Sequence, residues 1–338
     1  MPVYVKSVGL PLRPVTLDVG LDAAGIVALA DITTVQQRTA LAGTAVLLDA
    51  LVLCPGIHMQ QQAPKLNHGE YPACAALTSG YVFRIENSAT VYYLQQVGRT
   101  GHLTTLTVSR PIPGEGRFLA AVFPYHNMTP TSSLTYGLII LLTITIIILI
   151  GLSEDWWGIS VVALLILSRL CNIVVIRRRS EPGWAGAPEP GQQGDLLVLL
   201  SQDRWIRIQG GVDDLKLVTS GQWLRDQTRT ESWATALATV VVYLDAALVS
   251  NLTQLSKILL LVLLIASVGL LAIANSATKD LQMHGRIVSV VGPRKPYQRR
   301  LHLANELIAE TGRDDWAVRL GMIVKNGCQC NDAMRATM

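Results

Sequence analysis

The longest apolar stretch of the chain covers residues 134–152 and contains no charged residue. A helix of about 20 such residues crosses the hydrocarbon core of a bilayer, which is about 30 Å thick. Inside lipid, a helix also satisfies its backbone N–H and C=O groups internally. Because the stretch is much longer than a usual strand, it predicts a transmembrane helix.

Three further apolar stretches follow, and we predict that each is also a transmembrane helix; they cover residues 156–176, 233–249 and 258–274. The predicted fold is therefore membrane α-helical, with about four transmembrane helices and α+β extramembrane segments. Five regions follow from this division: an N-terminal extramembrane region with a short β unit (1–133), a first helix pair (134–176), a cytosolic loop region (177–232), a second helix pair (233–274) and a cytosolic basic tail (275–338).

Residues 39–54 are also apolar, but this stretch is short and carries Asp49 near its middle. A central Asp costs about 2.5 to 3.5 kcal/mol on membrane-insertion scales. We therefore predict a buried or membrane-surface helix that ends at Pro55 and Gly56, with a fifth transmembrane segment as the alternative.

Outside these stretches, short runs with apolar alternation predict strands. Residues 81–85, 90–97, 103–110 and 117–123 predict a small antiparallel unit, residues 195–201 and 204–210 a hairpin, and residues 285–292 a further strand. Residues 212–226 predict a short helix. Residues 299–312 predict an amphipathic helix with Leu301, Ala304, Leu307 and Ile308 on one face and a stop at Gly312, and residues 314–323 a second short helix.

The composition supports a membrane protein. Charged residues make up 15% of the chain, against about 25% in soluble domains. The net charge of +4 is too small to indicate a nucleic-acid partner. Five scattered cysteines do not indicate a disulfide framework. The first residues lack the apolar core of a signal peptide, so we expect insertion to begin at an internal span.

The distribution of basic residues predicts the orientation. Arg177, Arg178 and Arg179 directly follow the second predicted helix, and positive residues are retained on the cytoplasmic side. We therefore predict a multi-pass protein of the endoplasmic reticulum or plasma membrane with both termini in the cytosol. The sequon at Asn251 is then lumenal and a candidate for glycosylation, whereas the sequon at Asn127 stays unmodified.

Two charged residues lie within predicted membrane helices, Asp245 and Arg169. An intramembrane charge is a functional candidate, so both are weak catalytic candidates. We expect Arg169 to extend to the interface, with a buried partner as the alternative. Asp245 either serves a pathway or a reaction, or it reaches water, or it pairs with Arg169.

A polar loop concentrates residue types that zinc accepts: Cys54, His58, His68 and Cys74, with Glu70 between them. Their spacing matches no finger or metalloprotease pattern, so an ordinary polar loop is expected, and we predict no metal and no cofactor. No phosphate-binding, nucleophile-elbow or kinase motif occurs either.

A basic cluster follows the fourth predicted helix and contains Arg294, Lys295, Arg299 and Arg300. Basic residues beside the cytoplasmic leaflet gain roughly 1 kcal/mol each from anionic lipid. We predict that this cluster lies on the membrane surface, with anionic head groups as its partners.

Residues 55–80, 196–226 and 306–323 resemble uncharacterised fungal multi-span integral membrane proteins. The resemblance implies membrane residence and brings no activity, cofactor or site residue. We expect a scaffold or accessory membrane protein. The alternatives are a membrane-bound enzyme acting on a lipophilic substrate, as in fungal secondary metabolism, and a small channel or transporter.

Overall fold

The structure is a computed structural model that describes residues 27–110 and 129–324. The helices are α1 (Thr34–Ala42), α2 (Ser88–Val97), α3 (Pro130–Leu152), α4 (Trp156–Arg179), α5 (Val212–Thr219), α6 (Arg229–Leu248), α7 (Gln254–Ala277), α8 (Arg300–Thr311) and α9 (Asp315–Arg319). The strands are β1 (Ala73–Ala76), β2 (Val82–Arg84), β3 (His102–Ser109), β4 (Gln193–Leu200), β5 (Arg204–Gly211), β6 (Leu281–Met283), β7 (Arg286–Val290) and β8 (Lys295–Pro296). Short 3₁₀ helices cover Leu47–Leu51, Ile57–Asn67 and Val249–Asn251.

The four predicted membrane helices are present as α3, α4, α6 and α7, and each is long and apolar enough to span a bilayer. Three of them begin before the apolar stretch because a polar first turn precedes it. Thr129 and Thr253 accept hydrogen bonds from backbone N–H groups of that turn in α3 and α7. Thr228 and Glu231 form a capping box at the start of α6.

The two ends of the helix bundle are defined by hydrogen bonds between helix termini. At one end, Thr129 Oγ1 donates to the Ala277 carbonyl at 3.0 Å, and Arg225 N–H donates to the Arg179 carbonyl at 3.1 Å. At the other end, the Thr253 N–H donates to Asp155 at 2.9 Å. We call these the sheet end and the turn end. Within the bundle, α3 packs against α7 and α4 packs against α6.

Apolar side chains cover the outside of the bundle, as expected for helices in contact with lipid. Exposed examples are Leu141, Ile148, Val240 and Ile265. Trp156 and Trp157 are exposed at the turn end, and Trp233 is exposed near the sheet end. Because tryptophan rings concentrate at the two membrane interfaces, this distribution fits a bilayer between the two ends.

The three regions outside the helix pairs combine into one sheet at the sheet end. Its strand order is β2-β1-β4-β5-β3-β7-β6, and β8 also pairs with β3. β4 and β5 form the predicted hairpin, with Gln202 and Asp203 at positive φ in the turn. β5 then pairs in parallel with β3, from the region before the helices, and β3 pairs with β7, from the region after them.

Helices cover both faces of this sheet. On one face, β-strand residues such as Val198 and Ile206 share a core with α2 and with Ile173 and Ile176 at the end of α4. On the other face, Trp205 shares a core with α8 and α9. The first core joins the sheet directly to a membrane helix, so the two parts pack as one body.

The predicted strand at residues 90–97 is wrong, because these residues lie in helix α2. Valine and tyrosine are typical of strands, but the Asn87 side chain accepts a hydrogen bond from the Thr90 N–H at 3.0 Å and starts a helix. The strands predicted at residues 81–85 and 103–110 are confirmed as β2 and β3. The predicted small antiparallel unit is wrong, because β2 and β3 lie apart in the sheet and β3 pairs in parallel with β5. The strand predicted at residues 117–123 lies outside the described residues.

Residues 39–54 do not form the predicted continuous helix. α1 ends at Gly43, which has a φ of 69° and lies so close to the backbone of Gln282 that a Cβ atom would be 2.3 Å from its carbonyl oxygen. The chain then forms the 3₁₀ helix Leu47–Leu51. The predicted burial is confirmed for most of this stretch, but the segment is not a fifth spanning helix among the described residues.

The remaining predictions outside the membrane mostly agree with the structure. α5, β7, α8 and α9 occur where they were expected, and Gly312 ends α8 in the left-handed conformation. One face of α8 was misassigned: Leu301 is 46% exposed, whereas Leu303, Ala304 and Leu307 are buried.

The sheet and one terminus of each long helix lie at the same end of the bundle. We therefore predict that the sheet and the linker before β4 face the same side of the membrane, the cytosol. A protease recognition site inserted at Gly186, in the exposed linker before β4, should be cleaved in sealed microsomes by protease added to the cytosolic side. The same site inserted between Ser250 and Asn251, at the turn end, should resist cleavage until detergent is added. Immunoblotting of the fragments measures both. The reverse pattern would show that the sheet faces the lumen.

Candidate functional site

A segment from outside the four long helices enters the bundle. Residues 34–67, which we call the wedge, contain α1 and two 3₁₀ helices and contact all four long helices. Thr143 Oγ1 donates to the Leu51 carbonyl at 2.7 Å. Since Thr143 lies 13 residues after the start of α3, the wedge reaches roughly 20 Å along that helix.

Asp49 anchors the tip of the wedge. Its carboxylate accepts a hydrogen bond from the Val46 N–H at 2.9 Å, which caps the 3₁₀ helix Leu47–Leu51. It also accepts one from the Tyr136 hydroxyl of α3 at 2.6 Å. The Arg38 guanidinium lies 5.4 Å from the centre of the Tyr136 ring. The acidic residue that argued against a spanning helix therefore has specific partners in the bundle.

Arg169 lies on the α4 side of the same cluster. It donates to Gln60 Oε1 at 2.8 Å and to the Asp49 carbonyl at 3.3 Å. Its side chain is 2% exposed, so the expectation that it extends to the interface is wrong. The alternative of a buried partner is confirmed, but the partners belong to the wedge and not to Asp245. A long cation is held here because two oxygens of the wedge accept its N–H groups.

The polar contacts continue from this cluster toward the sheet end. Gln61 Nε2 donates to Asn172 Oδ1 at 3.2 Å and to its carbonyl at 3.1 Å. Arg179 donates to Gln61 Oε1 at 2.8 Å and to the Arg225 carbonyl at 2.8 Å. Backbone that is not helical is tolerated at membrane depth only where protein groups satisfy it. The cluster thus holds the wedge in register with α3 and α4.

Asp245 is another buried charge of the bundle, and its environment differs from that of Arg169. Ser168 Oγ donates to the Ala238 carbonyl at 2.8 Å, which sets the register of α4 against α6. Asp245 lies seven residues from Ala238 along α6, and Val161 lies seven residues from Ser168 along α4, both toward the turn end. Asp245 and Val161 are therefore at the same level of the bundle. Asp245 is thus roughly 12 Å from the level of Arg169. The side chain is 1% exposed, and its Oδ1 atom has no hydrogen-bond partner among the described residues.

The zinc-compatible residues are not brought together. Cys54 is buried in the core of the bundle, whereas Cys74 is buried in the core beneath the sheet. The His58 ring lies 5.8 Å from the Tyr243 ring. His68 ends a 3₁₀ helix with a φ of 53°. Within residues 27–110 and 129–324, no group of three or more His, Cys, Asp or Glu side chains is placed to hold a metal ion.

Two of these loop residues, Glu70 and Cys74, have surroundings that favour a structural role. Glu70 accepts hydrogen bonds from Gln95 and from the Ser201 N–H, both at 2.6 Å, and so joins α2 to the β4–β5 turn. Partial burial opposes its ionisation, but these hydrogen bonds lower its pKa below the usual range. Burial raises the pKa of the Cys74 thiol far above its usual range, which makes it a poor nucleophile.

The basic cluster divides into two parts. Lys295 forms an ion pair with Glu306, and Arg300 forms one with Asp203. Arg294 instead lies near the end of α7, where its Nε donates to the Val97 carbonyl at 3.2 Å. Arg299 is exposed before α8. Two of the four charges are thus neutralised within the protein, and contact of all four with a membrane surface stays a prediction.

Asn251 is exposed in the turn between α6 and α7. The threonine of its sequon, Thr253, caps α7 through its hydroxyl and donates its N–H to Asp155. Hydrogen bonds from this turn to Asp155 lower the pKa of that carboxyl to about 2, although burial opposes them. Glycosylation of Asn251 stays a prediction, and Asn127 lies outside the described residues.

Sequence reasoning missed Gln60 and Gln61, because the run of glutamines after Met59 was interpreted as part of an ordinary polar loop. Gln60 is fully buried and also donates to Thr39 at 3.0 Å. The apolar stretch directly before these glutamines was a signal that the run enters the protein interior.

Comparisons of the chain with models of protein families, with curated proteins and with solved structures find no match. The function therefore has to be inferred from the geometry itself.

The wedge contacts generate a stability prediction. Asp49→Asn removes the negative charge that accepts two hydrogen bonds at the tip of the wedge, from the Val46 N–H and the Tyr136 hydroxyl. Because a hydrogen bond to a charged group contributes about 1.5 to 3 kcal/mol, we expect the change to lower the free energy of unfolding by about 3 kcal/mol. Tyr136→Phe removes one hydrogen bond at the same site and should cost about 1 kcal/mol. Denaturant titration of the detergent-purified proteins measures both, and an equal effect of the two changes would contradict a charge role for Asp49.

Proposed function

We propose that this protein is an integral membrane scaffold or accessory protein that holds one α/β domain against the cytosolic face of the membrane. The supporting observation is the shared core between the sheet and α4, in which Ile173 and Ile176 pack with strand residues. A domain tethered by flexible linkers would not need this packing. A rigid attachment suits a protein that presents a surface to a partner at a set height above the bilayer.

The surface best suited to a partner lies at the β2 edge of the sheet. Tyr81 is 63% exposed and stacks on Phe83, with ring centres 5.9 Å apart and an interplanar angle of 19°. The two rings line a groove of about 500 Å³ between β2 and α5. Exposed aromatic residues are enriched at protein interfaces. Among the described residues β2 is an edge strand, and such an edge can offer backbone groups to a partner.

Site-specific photocrosslinking tests this surface in the full-length protein in its native membrane. With a photoreactive amino acid in place of Tyr81, irradiation should produce discrete adducts of higher mass. The same amino acid in place of Leu301 is the control, since that residue is exposed on the opposite side of the sheet. If position 81 produces no more adduct than position 301, the proposed partner surface is wrong.

Asp245 favours a second candidate function, a small channel or transporter. An unpaired carboxylate between two membrane helices is expensive, and such groups mark ion pathways and proton relays. The same residue is the best remaining candidate for the third possibility, an enzyme acting on a lipophilic substrate. Arg169 supports neither of these alternatives, because both of its described hydrogen bonds hold the wedge.

Asp245→Asn separates the pathway hypothesis from a structural role. In proteoliposomes, a pathway through Asp245 predicts a proton or cation conductance that falls at least tenfold in the variant. The variant should fold at least as stably as the wild type, because it removes a buried charge without a described partner. Ion-flux assays and thermal unfolding measure the two effects. Wild-type vesicles that conduct no more than empty vesicles would contradict the pathway.

A further inference from the structure

A cavity of about 700 Å³ opens where α7 leaves the bundle at the sheet end. It lies between the end of α7, helices α1 and α2, and the loop from β7 to β8. Its walls include Gln37, Ala272, Asn275, Ser276, Lys279 and Arg294. One wall is therefore the last two turns of a membrane helix, and the opposite wall belongs to the sheet domain.

Two cations, Lys279 and Arg294, line this cavity. Lys279 follows the last residue of α7 by two positions, and its carbonyl accepts a hydrogen bond from Tyr93 at 2.8 Å, which fixes the backbone there. Arg294 reaches the cavity from the β7–β8 loop, and its Nε is held by the Val97 carbonyl. Neither side chain forms an ion pair within the described residues. An anionic group is the natural ligand for such a pair.

The remaining polar groups add acceptors beside these cations. Asn275 is 8% exposed; its Nδ2 donates to the Thr34 carbonyl at 2.8 Å, and its Oδ1 has no partner among the described residues. Asp280 also lines the cavity and partly offsets the positive charge. The cavity thus offers Lys279 and Arg294 for a phosphate, and the exposed Ser276 hydroxyl as an acceptor for the hydroxyl or ammonium group of a polar head.

The exposed face of α7 leads into the cavity. Val262, Ile265, Gly269, Ala272 and Ser276 are all exposed on this face. Their spacing of three or four residues places them on one side of the helix. Gly269 has open space around its Cα, so the face is recessed there. An acyl chain lying along this apolar strip would place its head group at Lys279 and Arg294.

We propose that this cavity binds the phosphate-bearing head group of one anionic phospholipid, whose acyl chain lies along α7. The site goes beyond the scaffold function and requires only that the four helices cross a bilayer. A lipid is favoured over soluble phosphate because the cavity is continuous with the lipid-facing surface of α7. The site would fix the sheet domain to the adjacent leaflet at one point.

Native mass spectrometry of the full-length protein, released from nanodiscs that contain phosphatidylglycerol and phosphatidylcholine, tests the proposal. The wild type should retain one phosphatidylglycerol molecule. Lys279→Gln with Arg294→Gln should weaken retention about thirtyfold, the affinity equivalent of about 2 kcal/mol for two charges. Lys295→Gln with Arg300→Gln is the matched control, because it removes the same net charge from ion pairs outside the cavity and should leave retention unchanged.

A variant without charge loss separates a built site from general surface attraction. Ala272→Trp places a bulky ring at the exposed mouth of the cavity and should reduce retention at least tenfold without disturbing the bundle. It also tests the proposal if the double variant fails to fold. Equal retention by both double variants, or unchanged retention in Ala272→Trp, would overturn the site. Displacement of the lipid by millimolar inorganic phosphate would show that the cavity binds soluble phosphate instead, which also overturns the lipid proposal.

Discussion

The architecture depends on the hydrogen bonds that Arg169 makes with the wedge. Without Gln60 and the Asp49 carbonyl, a guanidinium would lie uncompensated in the interior of the bundle, and non-helical backbone would lie beside it. Each of these arrangements is expensive alone. Together they satisfy each other, because the irregular backbone supplies the oxygens that the cation needs. The wedge therefore belongs to the bundle as much as the four long helices do.

The wedge also explains how the sheet is attached. It leads from the interior of the bundle directly into β1, so the first strands begin from a fixed position. The α3–α4 and α6–α7 connections return the chain to the same end, where β4, β5, β6 and β7 complete the sheet. Within the described residues, no region outside the helix pairs contains the complete sheet. The sheet is therefore assembled from three regions that the helix pairs bring to one end, and it shares a core with α4.

Features governed by local pattern were predictable from the sequence, and features governed by distant partners were not. The four long helices and the β4–β5 hairpin follow from apolar length and alternation. Helix α2 was missed because its valine and tyrosine residues favour a strand, while a single cap at Asn87 decides for a helix. The parallel pairing of β3 with β5 joins residues about 100 positions apart, as between Leu103 and Trp205. The role of Gln60 likewise depends on Arg169, which lies 109 residues away.

Arg169 and Asp245 show why a charge within a predicted membrane helix does not by itself identify a functional site. Both residues are almost fully buried in the same pair of helices, and the sequence offered each as the partner of the other. The structure separates them by roughly 12 Å along the bundle. Arg169 lies at a level that the wedge reaches, and its burial is accounted for by structural contacts. Asp245 lies nearer the turn end, where its Oδ1 atom has no described partner. No described hydrogen bond to this atom offsets the cost of burying the carboxylate. Asp245, rather than Arg169, therefore remains the stronger functional candidate inside the bundle.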